Sequence, residues 1–378
     1  MSLGLYIHIP FCRRRCSYCD FYLTTNMNLI NSFVNSAIKE IKLYSIQFHD
    51  DKVDTIYFGG GTPSSLKTEF LSDILSAIFN NFNVSKNPEI TIECNPEDVI
   101  EDKQKFQIIA KTGINRISLG IQSFIDSELL YLTRHHNAND ANNSIKILQD
   151  IFPNLSIDLI YAMHNQSAEN VEYNIRNISR HDIKHVSAYT LILEKGTLMH
   201  KQMEKTDLIK QTNKNSEQYY FVISNLLESM GYRHYEVSNY SLPGFESRHN
   251  LKYWNFENYL GLGPSAHSFI GNKRFSNVSN LKLYNNFIEN NKLPVENDIL
   301  LNKIQLRNDY FISVFRSGGV EFSKYKRLFN EDFLLKYRKN TEELLNLRLA
   351  NVSETHFYLT QKGFALADEI TLKFVDYL

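Results

Sequence analysis

The stretch Leu5-Tyr6-Ile7-His8-Ile9-Pro10-Phe11-Cys12-Arg13-Arg14-Arg15-Cys16-Ser17-Tyr18-Cys19 carries the decisive reading of this chain. Leu5–Ile9 is a short apolar, β-branched run closed by a proline, which predicts a strand that ends where a loop begins. The loop holds three cysteines in C-x3-C-x2-C spacing, and the chain has four in all, the other being Cys94. Three thiols within eight residues point to metal or redox chemistry in a reducing compartment rather than to disulfides. Soft thiolates suit iron–sulfur clusters, so Cys12, Cys16 and Cys19 are read as ligands to three irons of a 4Fe–4S cubane. The fourth iron then stays open, as a metal must if a substrate or cofactor is to bind it. Zinc is the alternative, completed by His8 or a distant histidine, although a structural zinc site normally brings two close ligand pairs.

Working outward, further short apolar runs follow at Thr55–Phe58, Glu89–Glu93, Arg116–Gly120, Ser156–Tyr161 and His185–Ile192. Between them lie stretches with apolar residues at helical spacing, among them Leu29–Leu43, Glu69–Phe82 and Ala141–Asp150. Strand-then-helix alternation predicts parallel strands covered by helices, because a parallel connection needs a crossover. The expected class is α/β, a partial (β/α)6-type barrel over residues 1–242 with its site at the C-terminal strand ends. Residues 243–299 read as a connecting segment, irregular from Pro243 to Gly271, with a second connection near Lys292–Asp298. Residues 300–378 read as a smaller, mainly helical C-terminal domain.

Composition narrows the function classes. Lys+Arg number 41 against 42 Asp+Glu in 378 residues, which excludes a broadly basic nucleic-acid binder. Hydrophobic residues are 43% and charged residues 22%, the usage of a folded globular chain rather than a disordered one. No apolar run approaches the roughly 18 residues of a membrane span, and the start lacks a signal-peptide pattern. A cytoplasmic location is expected.

Other candidates sit where a barrel presents its ligands. Phe58-Gly59-Gly60-Gly61-Thr62-Pro63 follows the second strand; glycines admit a ligand close to the backbone, or simply make a tight turn. Glu93 and Gln122 end the third and fourth strands, Arg134 follows, and Asp158 lies in the fifth. Each alone also reads as an ordinary solvated strand end. Cys94 points to the face opposite Glu93 and is read as core packing. His135 and His136 are read as stabilising a loop or helix start.

The cysteine spacing on the loop after the first strand resembles the radical S-adenosylmethionine (SAM) superfamily. The GGGTP stretch resembles its oxygen-independent coproporphyrinogen oxidase-like branch. The resemblance implies that SAM chelates the open iron and that a cluster electron cleaves its sulfonium. It also implies SAM contacts at Tyr6, Tyr18, Gly60, Gly61, Thr62, Glu93, Gln122, Arg134 and Asp158. Two departures put decarboxylation of coproporphyrinogen in doubt. That enzyme has a fourth cysteine where this chain has Phe21, and a long extension before its cysteine motif. His249-Asn250-Leu251-Lys252-Tyr253-Trp254 instead resembles the HNxxYW motif of a haem-chaperone family. The implied function is to bind haem and hand it to a recipient haemoprotein, with transient membrane or carrier contact. His249 is the implied haem contact, with His267 second; a polar-aromatic cluster docking the loop is the other reading of His249 and Trp254. The competing class is an oxidoreductase that turns a SAM-derived radical on a porphyrinogen propionate, so whether the chain is an enzyme stays open. A degenerate relative with a structural cluster is a third reading, and a homodimer is one candidate state.

Overall fold

The computed structural model describes residues 2–205 and 215–376. Six strands run in chain order and pair in parallel: β1 (Ser2–Ile9), β2 (Lys52–Gly60), β3 (Asn83–Cys94), β4 (Arg116–Gln122), β5 (Asn154–Tyr161) and β6 (His185–Thr190). Every second residue on them is buried and mostly apolar, for example Leu5, Ile7 and Ile9 on β1, Ile90 and Ile92 on β3, and Ile117 and Leu119 on β4. These face the helices. The residues between are polar: Tyr57, Thr91 and Glu93, Arg116 and Ser118, Ser156 and Asp158, His185 and Ser187. Period-two alternation places that second set on one face, the lumen of a curved sheet. The helix Ile30–Phe48 covers the outside with Phe33, Val34, Ala37, Ile41 and Tyr44, the i, i+4, i+8 pattern of a helix with one buried face.

The stretch read as an irregular connection is more regular than its composition suggests. Pro243–Gly271 contains the helix Arg248–Trp254 and two short strands that follow β7 (Arg233–Glu236) and β8 (Asn239–Ser241). These are β9 (Tyr259–Leu262), which pairs in parallel with β1, and β10 (His267–Ile270). The connection near Lys292–Asp298 likewise enters a strand, β12 (Val295–Leu300), paired with β11 (Lys273–Asn277). The sheet order is therefore β12-β11-β10-β9-β1-β2-β3-β4-β5-β6-β8-β7. Runs of three to six residues broken by Gly and Asn are too short to show a period; only pairing to a neighbour makes them strands. The expected strands also lengthen at most ends, β3 the furthest in beginning at Asn83, while β6 stops at Thr190 and leaves Leu191 and Ile192 beyond it.

A second apolar cluster runs from Leu301 through Tyr310, Phe333 and Phe357 to Phe374 and takes in Tyr220, Phe256 and Phe269 from the preceding chain; it forms the core of the C-terminal part. Its helices surround a three-stranded sheet of β13 (Val320–Glu321), β14 (Ala350–Val352) and β15 (His356–Leu359).

Glu40 ties the 259–289 segment to the barrel. It is fully buried on the first helix and accepts from Gly263 N, Asn277 Nδ2 and Tyr284 Oη, each at 2.7 Å. Burial lifts its carboxyl to about 7, against the pull of those three donors. Because the folded value lies above the ordinary one, this group's stabilising contribution is complete below about 4.5 and is lost as pH rises through about 7. Glu40→Ala would orphan three donors, and should cost about 3 kcal/mol or more in urea unfolding. An unchanged unfolding midpoint would refute this anchoring role.

Candidate functional site

The strand ends enclose a cavity of about 790 Å³ lined by Cys12, Cys16 and Cys19. Proline ends β1 and releases the chain into the cysteine loop, which the Cys12 N–H and the Thr24 carbonyl (3.1 Å) pin back. The Cys19 N–H closes a turn on the Cys16 carbonyl at 3.2 Å. Cys12 Sγ lies 3.3 Å from Thr62 Oγ1, and Arg134 Nη1 points at Cys16 Sγ from 3.7 Å. Burial pushes the Cys12 thiol up to about 11, with Cys19 and Cys16 adding to the rise; burial raises Cys19 as well. Three thiolates would therefore gather here only around added positive charge, which is what bound iron supplies.

The residues fit a cluster better than a single ion. Among the described residues no three His, Cys, Asp or Glu side chains converge as one metal ion would require. A cubane asks for less convergence, since each thiolate takes its own iron. His8, the near candidate for a zinc ligand, is fully engaged: Nε2–H donates to the Tyr22 carbonyl at 2.9 Å and Nδ1 accepts from Tyr6 Oη at 3.1 Å.

The glycine run satisfies both of its readings. Gly60 has φ of +110°, and a Cβ on Gly61 would sit 2.6 Å from the Phe11 carbonyl oxygen. Close passage of β2 over the cysteine loop thus demands glycine whether or not a ligand is present. Gly60, Gly61 and Thr62 all line the cavity, as do Tyr18, Glu93, Gln122, Arg134 and Asp158. Glu93 accepts from Tyr57 Oη (3.0 Å) and Gly60 N (3.1 Å). Burial, then nearby Asp158, raises its carboxyl to about 7. Asp158 accepts from Ser118 Oγ at 3.0 and 3.1 Å, and burial raises it too. Arg134 donates to Asn95 Oδ1 at 2.6 Å and to the Gly120 carbonyl at 3.0 Å. Tyr6 is outside the lining, its hydroxyl committed to His8 and its ring beside Tyr57.

The radical SAM superfamily model matches residues 6–178. The haem chaperone HemW of Lactococcus lactis is 34% identical over 374 residues, 98% of this chain and 96% of that protein. HemW of Bacillus subtilis is 30% identical, covering 97% of each. The chain belongs to the HemW family of the radical SAM superfamily. In fold, this HemW-family chain also matches coproporphyrinogen III oxidase (HemN) from Escherichia coli, with a TM-score of 0.81 and 22% identity. That likeness covers 100% of this chain and 91% of the other, and shows the shared architecture.

Geometry divides the HNxxYW helix of this HemW-family chain into two roles. His249 is 0% exposed, with Nδ1 at 2.9 Å from Thr55 Oγ1 and Nε2 at 2.8 Å from Tyr253 Oη. Burial lowers its imidazole to about 3, helped by Lys252 and Arg116. With both ring nitrogens engaged, it has none free for iron, so this arrangement departs from the expected haem contact and is that of a docking cluster. His249→Ala should lower the melting temperature without altering a haem spectrum; a shifted Soret band with unchanged melting would contradict this. Asn250, by contrast, lines the cavity.

Sequence reasoning misses Asn95, which donates to Thr62 Oγ1 at 3.2 Å and so links Arg134 to the Cys12 partner. It misses Arg116 and Ser118 too. Their signal is the strand period itself: polar side chains at every second position facing one lumen.

Proposed function

We propose that this chain is a haem chaperone that binds haem and passes it to a recipient haemoprotein, with a 4Fe–4S cluster on Cys12, Cys16 and Cys19. The fourth iron would be left open for SAM, and the reduced cluster held by these three cysteines would supply the single electron that cleaves its sulfonium. Glu93 and Arg134 take the opposite charges of its amino acid end, and Asp158 and Gln122 hydrogen-bond its ribose. Gly60, Gly61 and Thr62 leave room for it beside the loop, against Tyr18. Full-length similarity to HemW proteins supports the haem part of this reading.

The observation that carries it is a set of exposed apolar side chains in the cavity's lining, beside the exposed charges of Arg13, Arg14 and Glu101. Phe21 is 63% exposed, Ile192 61% and Tyr189 42%, and all three belong to the lining. Exposed apolar side chains around a concave site mark a ligand surface, and a flat apolar macrocycle would cover these. Phe21 also puts a ring where the decarboxylase resemblance would require a thiolate. His135, on the cavity wall, and His267 on β10 have no ring hydrogen bond among the described residues, which leaves them as iron ligands in place of His249. No helix among the described residues is long and apolar enough to cross a membrane. A cytoplasmic carrier with transient contact to its acceptor fits this reading.

The test is direct. Cluster-loaded protein with SAM and a reductant should form no protoporphyrinogen from coproporphyrinogen, yet should bind haem and restore an apo-haemoprotein. Steady decarboxylation over many turnovers would overturn the chaperone reading.

A further inference from the structure

We infer that the cavity floor is a second ligand site, built on Arg116 and Asn250, for the carboxylate of a small organic acid distinct from SAM. Arg116 lies on β4 one side-chain layer below Ser118, toward the N-terminal end of the barrel, and lines the cavity at 1% exposure. Its strand neighbours in register are Thr91 and Asn154, neither of them an acid. Among the described residues no carboxylate lies within ion-pair distance of its guanidinium, and its Nε has no hydrogen-bond partner. A buried cation without a contact partner is costly, and proteins keep one where a ligand supplies the missing charge.

The natural counter-ion nearby is already served. Asp158 accepts the Ser118 hydroxyl, shared between its two oxygens, and a further bond from Ser187, and acts on Arg116 only through space. Tyr57 Oη is spent on Glu93. Asn250 is not spent. The backbone N–H groups of Arg248 and His249 are clamped by Glu89 at 3.1 and 3.0 Å, and His249 is locked between Thr55 and Tyr253. This anchoring carries Asn250 to the cavity wall, where its side-chain amide has no protein hydrogen bond among the described residues. The motif's histidine therefore fixes the helix, and its asparagine faces the ligand.

A guanidinium fork matches a carboxylate, and the Asn250 amide, in the lining of the same cavity, can donate one further bond to it. Of the other arginines lining the cavity, Arg134 is committed to Asn95, Gly120 and Cys16, Arg13 pairs with Asp98 and Glu101, and Arg14 is exposed, so the one buried guanidinium without a charged contact is Arg116. One such charge matches a monoanion, whereas the second charge of a dianion such as phosphate would lie uncompensated near Glu93 and Asp158.

The experiment uses cluster-loaded protein saturated with SAM and no haem, so its outcome is independent of the haem reading. Sodium propionate is titrated by ligand-observed NMR, with propionamide and inorganic phosphate as separate arms. Propionate should bind saturably, propionamide about tenfold or more weakly, and phosphate should not displace it. Arg116→Met should lower propionate affinity about tenfold or more while leaving SAM affinity and cluster absorbance unchanged, and Arg116→Lys should retain part of the binding. Equal binding of propionate and propionamide, or unchanged propionate affinity in Arg116→Met, would overturn the site. Displacement by phosphate would overturn its assignment to carboxylates. If Arg116→Met does not fold, the propionate–propionamide comparison in wild type and Arg116→Lys decides between the same outcomes.

Discussion

Alanine at Cys12, Cys16 or Cys19 is expected to abolish cluster assembly, whereas Cys94→Ala should keep it. Anaerobic reconstitution followed by iron and sulfide analysis, with visible sulfide-to-iron charge-transfer absorbance, measures this. All three thiols line one cavity, and Cys12 and Cys19 have raised values because burial penalises the thiolate. Removing one thiol leaves two, too few to hold three irons of a cubane. Cys94 is 3% exposed and packs in the apolar core, so its loss should cost only a modest amount of stability. Full iron and sulfide in a reconstituted Cys16→Ala protein would defeat the ligand assignment.

Glu93→Ala and Arg134→Ala should each weaken SAM binding by about 1.5–3 kcal/mol, the worth of a charge-assisted hydrogen bond. The two differ in what else they disturb. Among the described residues Glu93 is hydrogen-bonded by Tyr57 and Gly60 and by no cysteine-loop residue, so Glu93→Gln should spare the cluster. Arg134 also holds Asn95 and faces Cys16, so Arg134→Ala should lower cluster content as well, which Arg134→Lys should partly restore. A pH signature accompanies the first. The Glu93 carboxyl sits near 7 without ligand, and a cationic ammonium prefers its ionised form. SAM affinity should therefore rise as pH increases through about 7 in wild type, and lose that dependence in Glu93→Gln. Calorimetric SAM affinity unchanged in both alanine variants would sink the site.

Much of this is legible in the chain because it is local. A proline closing an apolar run, three thiols on the next loop and a glycine turn after the second strand need no tertiary contact to be recognised. The same holds for the alternation that makes β1–β6 parallel strands under helices. Glu93, Gln122 and Asp158 stand out because the strands of a barrel carry polar side chains toward one cavity, Arg134 because it follows the fourth strand, and the structure brings all four to that cavity.

What stays hidden in the chain is whatever depends on residues far apart along it. Tyr259–Leu262 is a strand because β1 and β10 lie on either side of it, and four residues carry no readable period. His249 reads equally as a haem contact or as part of a docking cluster, since nothing near it in the sequence reveals Thr55 across 194 positions. Arg116 reads as one more strand residue; its lack of a counter-charge emerges only when the lumen closes around it. The thiol set, the parallel βα order and the family all follow from the amino-acid order alone. Which polar side chains are satisfied, and which still need a partner, is settled only by the folded arrangement, because hydrogen-bond satisfaction and desolvation belong to the assembled interior rather than to any one segment.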